Sequence, residues 1–178
     1  MALTHALVGA GSCTVAFQVA GMPATATVLT VAVLGSLAPD VDHPGSWLGR
    51  RVFPLSLLFS WLVGHRGVTH SVLAFMVLSL SLHFLVPNKW AALVPAFQIG
   101  YLSHLFSDWN TSSGIPVLWP SERRFCAPWA FPTGGAAEMV ICLTLIIFFG
   151  MAGYATLNTK ASQIGASIHQ TARAYLQR

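Results

Sequence analysis

Three short segments carry most of the side chains able to do chemistry in this chain: Pro39-Asp40-Val41-Asp42-His43, His65-Arg66-Gly67-Val68-Thr69-His70 and Ser103-His104-Leu105-Phe106-Ser107-Asp108. Imidazole and carboxylate together, without thiolate, form a ligand set for zinc first, with manganese or iron as alternatives. His104 and Asp108 are four residues apart, so on a helix they stand on one face about 6 Å apart and can share an ion. Pro39 ends the apolar run before it, and an extended chain after it would aim Asp40 and Asp42 the same way. Gly67 permits a sharp bend. Thr69 is then the expected N-cap of the next helix, with His65 on a loop and His70 in the first helical turn. Adding His5, the candidate ligands are His5, Asp40, Asp42, His65, His70, His104 and Asp108, a set that serves two ions better than one. Asp42 and His43 have a second reading, as groups that support the ligands.

The remaining charged residues fall around these motifs. Arg66 is placed either to clamp a phosphate or carboxylate or to pair with Asp40 or Asp42. Arg123 and Arg124 follow the third motif and suit lipid headgroups or a substrate anion. Glu138 is the acid of the last apolar run, read as a ligand, a general base or a helix N-terminal charge favoured by the dipole. His83 and His169 stand alone and are read as packing or interface residues. Cys13, Cys126 and Cys142 are far apart with no CxxC pair, so neither a disulfide frame nor a thiolate zinc site is indicated.

The elements that must position these residues are apolar. Hydrophobic residues make up 54% of the 178 and charged residues 8%, with a mean hydropathy of +0.65; a soluble domain carries about a quarter charged residues. So little charge cannot cover a globular surface in water, and lipid is the expected solvent. The net charge of +4 comes from basic residues scattered through loops; without a basic stripe, nucleic acid is excluded as a partner and membrane lipid is favoured.

Apolar runs at 4–20 and 24–38 flank the turn Gly21-Met22-Pro23 and predict a tight helical hairpin. Residues 47–63 are interrupted by Arg50, Arg51 and Pro54 and predict an interfacial or re-entrant segment. Helices are predicted over 70–86, over 90–109 with a kink at Pro95, and over 136–157, with a loop at 110–135. The expected fold is all-α, a polytopic membrane helix bundle with about four to five crossings. Residues 1–157 form one membrane-embedded domain and 158–178 a basic, amphipathic tail. Ala24-Thr25-Ala26 has the form of a signal-peptidase site, but the start of the chain lacks Lys and Arg, which argues against cleavage. Following the crossings brings all three motifs and His5 to one membrane face, where Trp47, Trp61, Trp109, Trp119 and Trp129 make an aromatic belt.

The strings LAPDVDHPGSWLGRR, GHRGVTHS and GYLSHLFSDWNTSSGIPVLWP resemble those of the YdjM-type membrane-bound metal-dependent hydrolases of bacteria and archaea, over His5 to about Glu138. The resemblance implies an inner-membrane hydrolase, partly under DNA-damage (SOS) control. A more distant similarity is to zinc-dependent phospholipase C and the P1-type nucleases, which share a His-x-x-x-Asp helix like His104 to Asp108. Their further His-x-x-x-Glu motif has its acid at Glu138 but Gly134 in place of the histidine, a departure that speaks against a third metal.

The expected function is hydrolysis of an ester or phosphodiester bond in a lipid or lipid-linked substrate by metal-activated water. One or two divalent ions would be held, Asp40 or Asp42 would act as ligand or base, and Arg66 would face developing negative charge. The alternative is a non-enzymatic metal-binding or metal-transporting membrane protein. A transporter needs polar groups along a path to both faces, and these helix middles are apolar. The arginine bias, Arg50, Arg51, Arg66, Arg123 and Arg124 against Lys89 and the tail, predicts a site at the cytoplasmic face.

Overall fold

The computed structural model describes residues 1–63, 67–121, 123–149 and 151, so His65, Arg66, His169 and the expected tail helix lie outside the described residues. The chain divides into two compact units, Met1–Cys142 and Leu143–Arg178. All that follows on the site concerns the first.

Helix α1 (Ala2–Val19) and helix α2 (Ala26–Leu37) form the expected hairpin, closed by Gly21 at a φ of +67°. Thr25 caps α2 by accepting the Val28 amide at 3.3 Å. Pro39 cannot continue that helix, and Ala38–Asp42 tightens into a 3-10 turn instead of extending. The consequence corrects the expected aim of the two acids. At three residues per turn, side chains two apart point in different directions, whereas an extended chain would align them.

Helix α3 (Phe53–Val63) starts later than the apolar run does. Pro54 sits in its first turn, and residues 44–52 are turns held by Ser46, whose hydroxyl accepts the Gly49 amide at 2.8 Å. Helix α4 (Val72–Leu85) is capped by Ser71, which accepts the Ala74 amide at 3.1 Å. Thr69 is therefore not the cap, and His70 lies in a separate 3-10 turn, Val68–His70. Pro95 opens helix α5 (Val94–Trp109) rather than kinking it, because a proline in the first turn has no amide to lose there. The connection after α5 contains a two-residue antiparallel pair, β1 (Ile115–Pro116) with β2 (Arg124–Phe125), and an isolated parallel bridge between Thr111 and Phe131, small departures from the expected all-helical fold. Helix α6 spans Ala136–Phe149. Among the described residues, α1 alone is long and apolar enough to cross a membrane on length and composition; α4 and α6 are shorter apolar helices.

The core is where α1, α2 and α5 meet, and small residues make the meeting close. A Cβ on Gly100 would fall 2.0 Å from the Ala32 carbonyl oxygen, and one on Gly35 would fall 2.3 Å from that of Phe97. The backbones of α2 and α5 touch at both points. Gly9 of α1 sits similarly against Ser36. Buried residues then recur every fourth position: His5, Gly9, Cys13 and Phe17 on α1, Val28, Ala32 and Ser36 on α2, Ala96, Gly100, His104 and Asp108 on α5. Each stripe is one helix face, and the faces carry the polar residues inward.

Candidate metal centre

His104 is four residues beyond Gly100, so the close approach that Gly100 permits also carries His104 to the end of α2. The last carbonyls of a helix have no helical partner, and the Ser36 carbonyl accepts a hydrogen bond from His104 Nδ1 at 2.6 Å. That bond places the ring proton on Nδ1 and leaves a lone pair on Nε2.

His70 is oriented by a relay. The Thr69 hydroxyl donates its proton to the Asp42 carboxylate. Towards His70 Nδ1, 3.1 Å away, its oxygen can then only accept, which puts the His70 proton on Nδ1 as well. The turn is fixed in turn by the Tyr101 hydroxyl donating to the Thr69 carbonyl, and by the Val72 amide donating to Val117 at 3.1 Å.

The two unprotonated Nε2 atoms face each other at 3.2 Å. Around them lie Asp108 Oδ2, 3.5 Å from His70 and 3.7 Å from His104, and Asp40 Oδ1, 3.9 and 4.0 Å from the same two nitrogens. Ligands at 2.0–2.1 Å from a tetrahedral ion stand about 3.4 Å apart, so these separations are close to the edges of a coordination shell. His5 joins from α1: Nε2 is 3.4 Å from Asp108 Oδ1, and its ring stacks on His104 with centroids 4.0 Å apart.

A metal ion fits this arrangement on chemical grounds. Neither oxygen of the buried Asp108 carboxylate has a hydrogen-bond partner, although three imidazoles surround it. Lone pairs converging on an unpaired buried carboxylate are unfavourable alone and are what a cation compensates. Two groups of side chains could hold one: Asp40, His70 and His104, and His5, His104 and Asp108. Both need the same His104 Nε2, since Nδ1 is occupied, and one nitrogen cannot serve two ions. In a two-ion arrangement the shared ligand would be the Asp108 carboxylate, Oδ1 towards His5 and Oδ2 towards His70 and His104.

The other sequence candidates lie elsewhere. The Asp42 carboxylate is buried on the Nδ1 side of His70, at 3.6 Å, where it orients the ring. His43 is half-buried in the turn after Asp42, which is tied down by the Ser46 hydroxyl donating to the Asp40 carbonyl at 2.8 Å. Arg123 is exposed just before β2 and Arg124 is exposed within it, and Arg51 lies over the Trp47 ring at 3.6 Å. Glu138 accepts from Thr4 and Gly134 and belongs to neither ligand group. Ser36, Thr69 and Tyr101 hold the ligands in place and were missed as such. Thr69 had a signal, a hydroxyl beside a candidate ligand; Ser36 acts through a carbonyl that every residue has.

The sequence profile of the family described as YdjM inner membrane protein matches residues 1–168. The chain belongs to that family. Inner membrane protein YdjM of Escherichia coli is 39% identical over 125 residues, covering 68% of this chain and 64% of the relative. The chain thus spans just under two thirds of that relative's length. The uncharacterized protein YvsG of Bacillus subtilis is 33% identical over 144 residues, covering 81% of this chain and 88% of YvsG. Inner membrane protein YbcI of Escherichia coli is 31% identical over 110 residues, covering 57% of this chain and 59% of YbcI. These names support an inner-membrane location for this YdjM-family chain. No solved structure matches it.

Proposed function

We propose that this chain is a multi-pass inner-membrane hydrolase that uses a divalent metal, zinc first, to cleave an ester or phosphodiester bond in a lipid or lipid-linked substrate. The observation that carries the reading is the convergence of Asp40 Oδ1, His70 Nε2, His104 Nε2 and Asp108 Oδ2 at ligand-edge separations. A divalent ion held there would supply Lewis acidity and bring the pKa of a water towards neutrality.

The chain's own residues do the rest. Ser36, Thr69 and Asp42 fix two imidazoles in the tautomer that ligates. Burial excludes bulk water from every ligand except Asp40, whose side chain is 15% exposed against 4% or less for the others. Asp40 therefore lines the open side, from which a substrate would approach, and it is the carboxylate able to accept a proton there. A lipid substrate would reach such a site by lateral diffusion. The arginine bias of the sequence favours the cytoplasmic face.

Elemental mass spectrometry of the detergent-purified protein tests the reading, with His104→Ala/Asp108→Ala as control. One to two equivalents of zinc or manganese, lost in the double variant, are expected. The metal-loaded protein should then release product from a phospholipid or phosphodiester panel. Metal without turnover on any class would leave a non-enzymatic metal-binding protein; no metal after reconstitution would end the hydrolase reading.

A further inference from the structure

Two of the three clustered histidines are oriented from behind, His104 by the Ser36 carbonyl and His70 by Thr69. His5 is not. Its Nδ1 is buried without a hydrogen-bond partner, so nothing on the far edge of the ring sets its aim. Apart from its stack on His104 and its contact with Asp108, the ring is placed by the backbone that carries it, and that backbone is the start of a helix. Met1 supplies no side-chain cap, and the first intrahelical bond of α1 is His5 N–H to the Met1 carbonyl at 2.9 Å. Uncapped first turns fray.

Among the described residues, a side chain from another helix holds this turn. Glu138, in the first turn of α6, accepts the Thr4 hydroxyl on Oε1 at 2.9 Å and pairs through the same oxygen with the Met1 ammonium at 2.8 Å. Its Oε2 accepts the Gly134 amide at 2.8 Å, which fixes the aim of the carboxylate. Thr4 immediately precedes His5. One turn further along, Gly9, Cys13 and Phe17 are packed independently of Glu138.

We propose that Glu138 is a positioning residue that clasps the first turn of α1 and thereby holds the His5 imidazole against Asp108 and His104. Without the clasp the first turn opens, His5 leaves the cluster, and Asp40, His70, His104 and Asp108 stay together. The metal arm of the test rests on the metal-centre reading above; the other arm does not.

The experiment uses the full chain in detergent, with Glu138→Ala, Glu138→Gln, Thr4→Val and His5→Ala. In metal-free protein, diethyl pyrocarbonate modification of His5 is timed by mass spectrometry against the exposed His83 as internal reference. His5 should react roughly 10-fold or more slowly than His83 in the wild type and within about 2-fold of it in Glu138→Ala. Glu138→Gln keeps the volume and the Thr4 bond and should fall between. Thr4→Val removes one hydroxyl and shifts His5 the same way, which keeps the test open if Glu138→Ala fails to fold. In the second arm, Glu138→Ala should weaken zinc binding about 10- to 100-fold in the wild type and by less than about 2-fold in a His5→Ala background. Equal protection of His5 in wild type, Glu138→Ala and Thr4→Val would overturn the proposal, as would full additivity with His5→Ala. A wild type that binds no zinc would instead remove the metal reading and leave the modification arm to decide on the clasp.

Discussion

Helices α4 and α5 are of similar length, 14 and 16 residues, and dispose of their side chains in opposite ways. α4 is rich in Leu, Phe, Val and Met and buries none of its residues; Leu80 is 61% exposed and Phe84 75%. α5 buries Ala96, Gly100, Tyr101, Ser103, His104, Leu105 and Asp108, while Leu102 and Phe106 point outward. In water this sorting would be inverted. In lipid a leucine gains nothing by turning inward, so helices associate through small residues and polar contacts. The contrast teaches that the interior here takes small and polar residues together with a few apolar ones, and leaves most of the large apolar side chains outside; the same sorting which packs α5 also builds the cluster.

The strongest way to break the comparison is at the backbone contact. Gly100→Leu puts a side chain into the Ala32 carbonyl and should cost about 3 kcal/mol or more, read as loss of monodisperse protein on size exclusion and a collapsed thermal transition. Asp108→Asn comes next. It keeps the volume of the side chain and should lower zinc affinity by about 100-fold or more, so that zinc raises the melting temperature of the wild type but not of the variant. Thr69→Val removes the relay to Asp42 and should weaken zinc about 10- to 100-fold, with Thr69→Ser restoring it in titration calorimetry. The smallest effect belongs to α4: Leu80→Ala should change stability in detergent by less than about 0.5 kcal/mol. A loss there matching that of Gly100→Leu would mean α4 is a core helix and the contrast is false.

Polar residues stand out in a chain this apolar, which is why the three motifs and the helical class were legible from residue types alone. Detail was lost where two readings share one pattern. Thr69 and Ser71 are both hydroxyls ahead of an apolar run, and only the fold assigns Ser71 to the helix and Thr69 to His70. Asp40 and Asp42 separate because the chain after Pro39 coils at three residues per turn instead of extending. Pro95 could kink or start a helix; the preceding residues Asn88–Leu93 form a 3-10 turn, so it starts one. The hold of Glu138 on Thr4 links residues 134 apart, and no local pattern announces a contact of that range.

The contact between α2 and α5 also sets a timetable. Both helices of the first hairpin leave the ribosome well before Val94, and nearly sixty residues separate Leu37 from Val94. At ~5–20 residues per second, that is roughly 3–12 s of synthesis. Throughout that interval His5 and Asp40 wait without His104 and Asp108, and the nascent hairpin has nowhere to seat an ion. Any metal the cluster holds would thus be loaded late in biogenesis, gated by the arrival of a glycine.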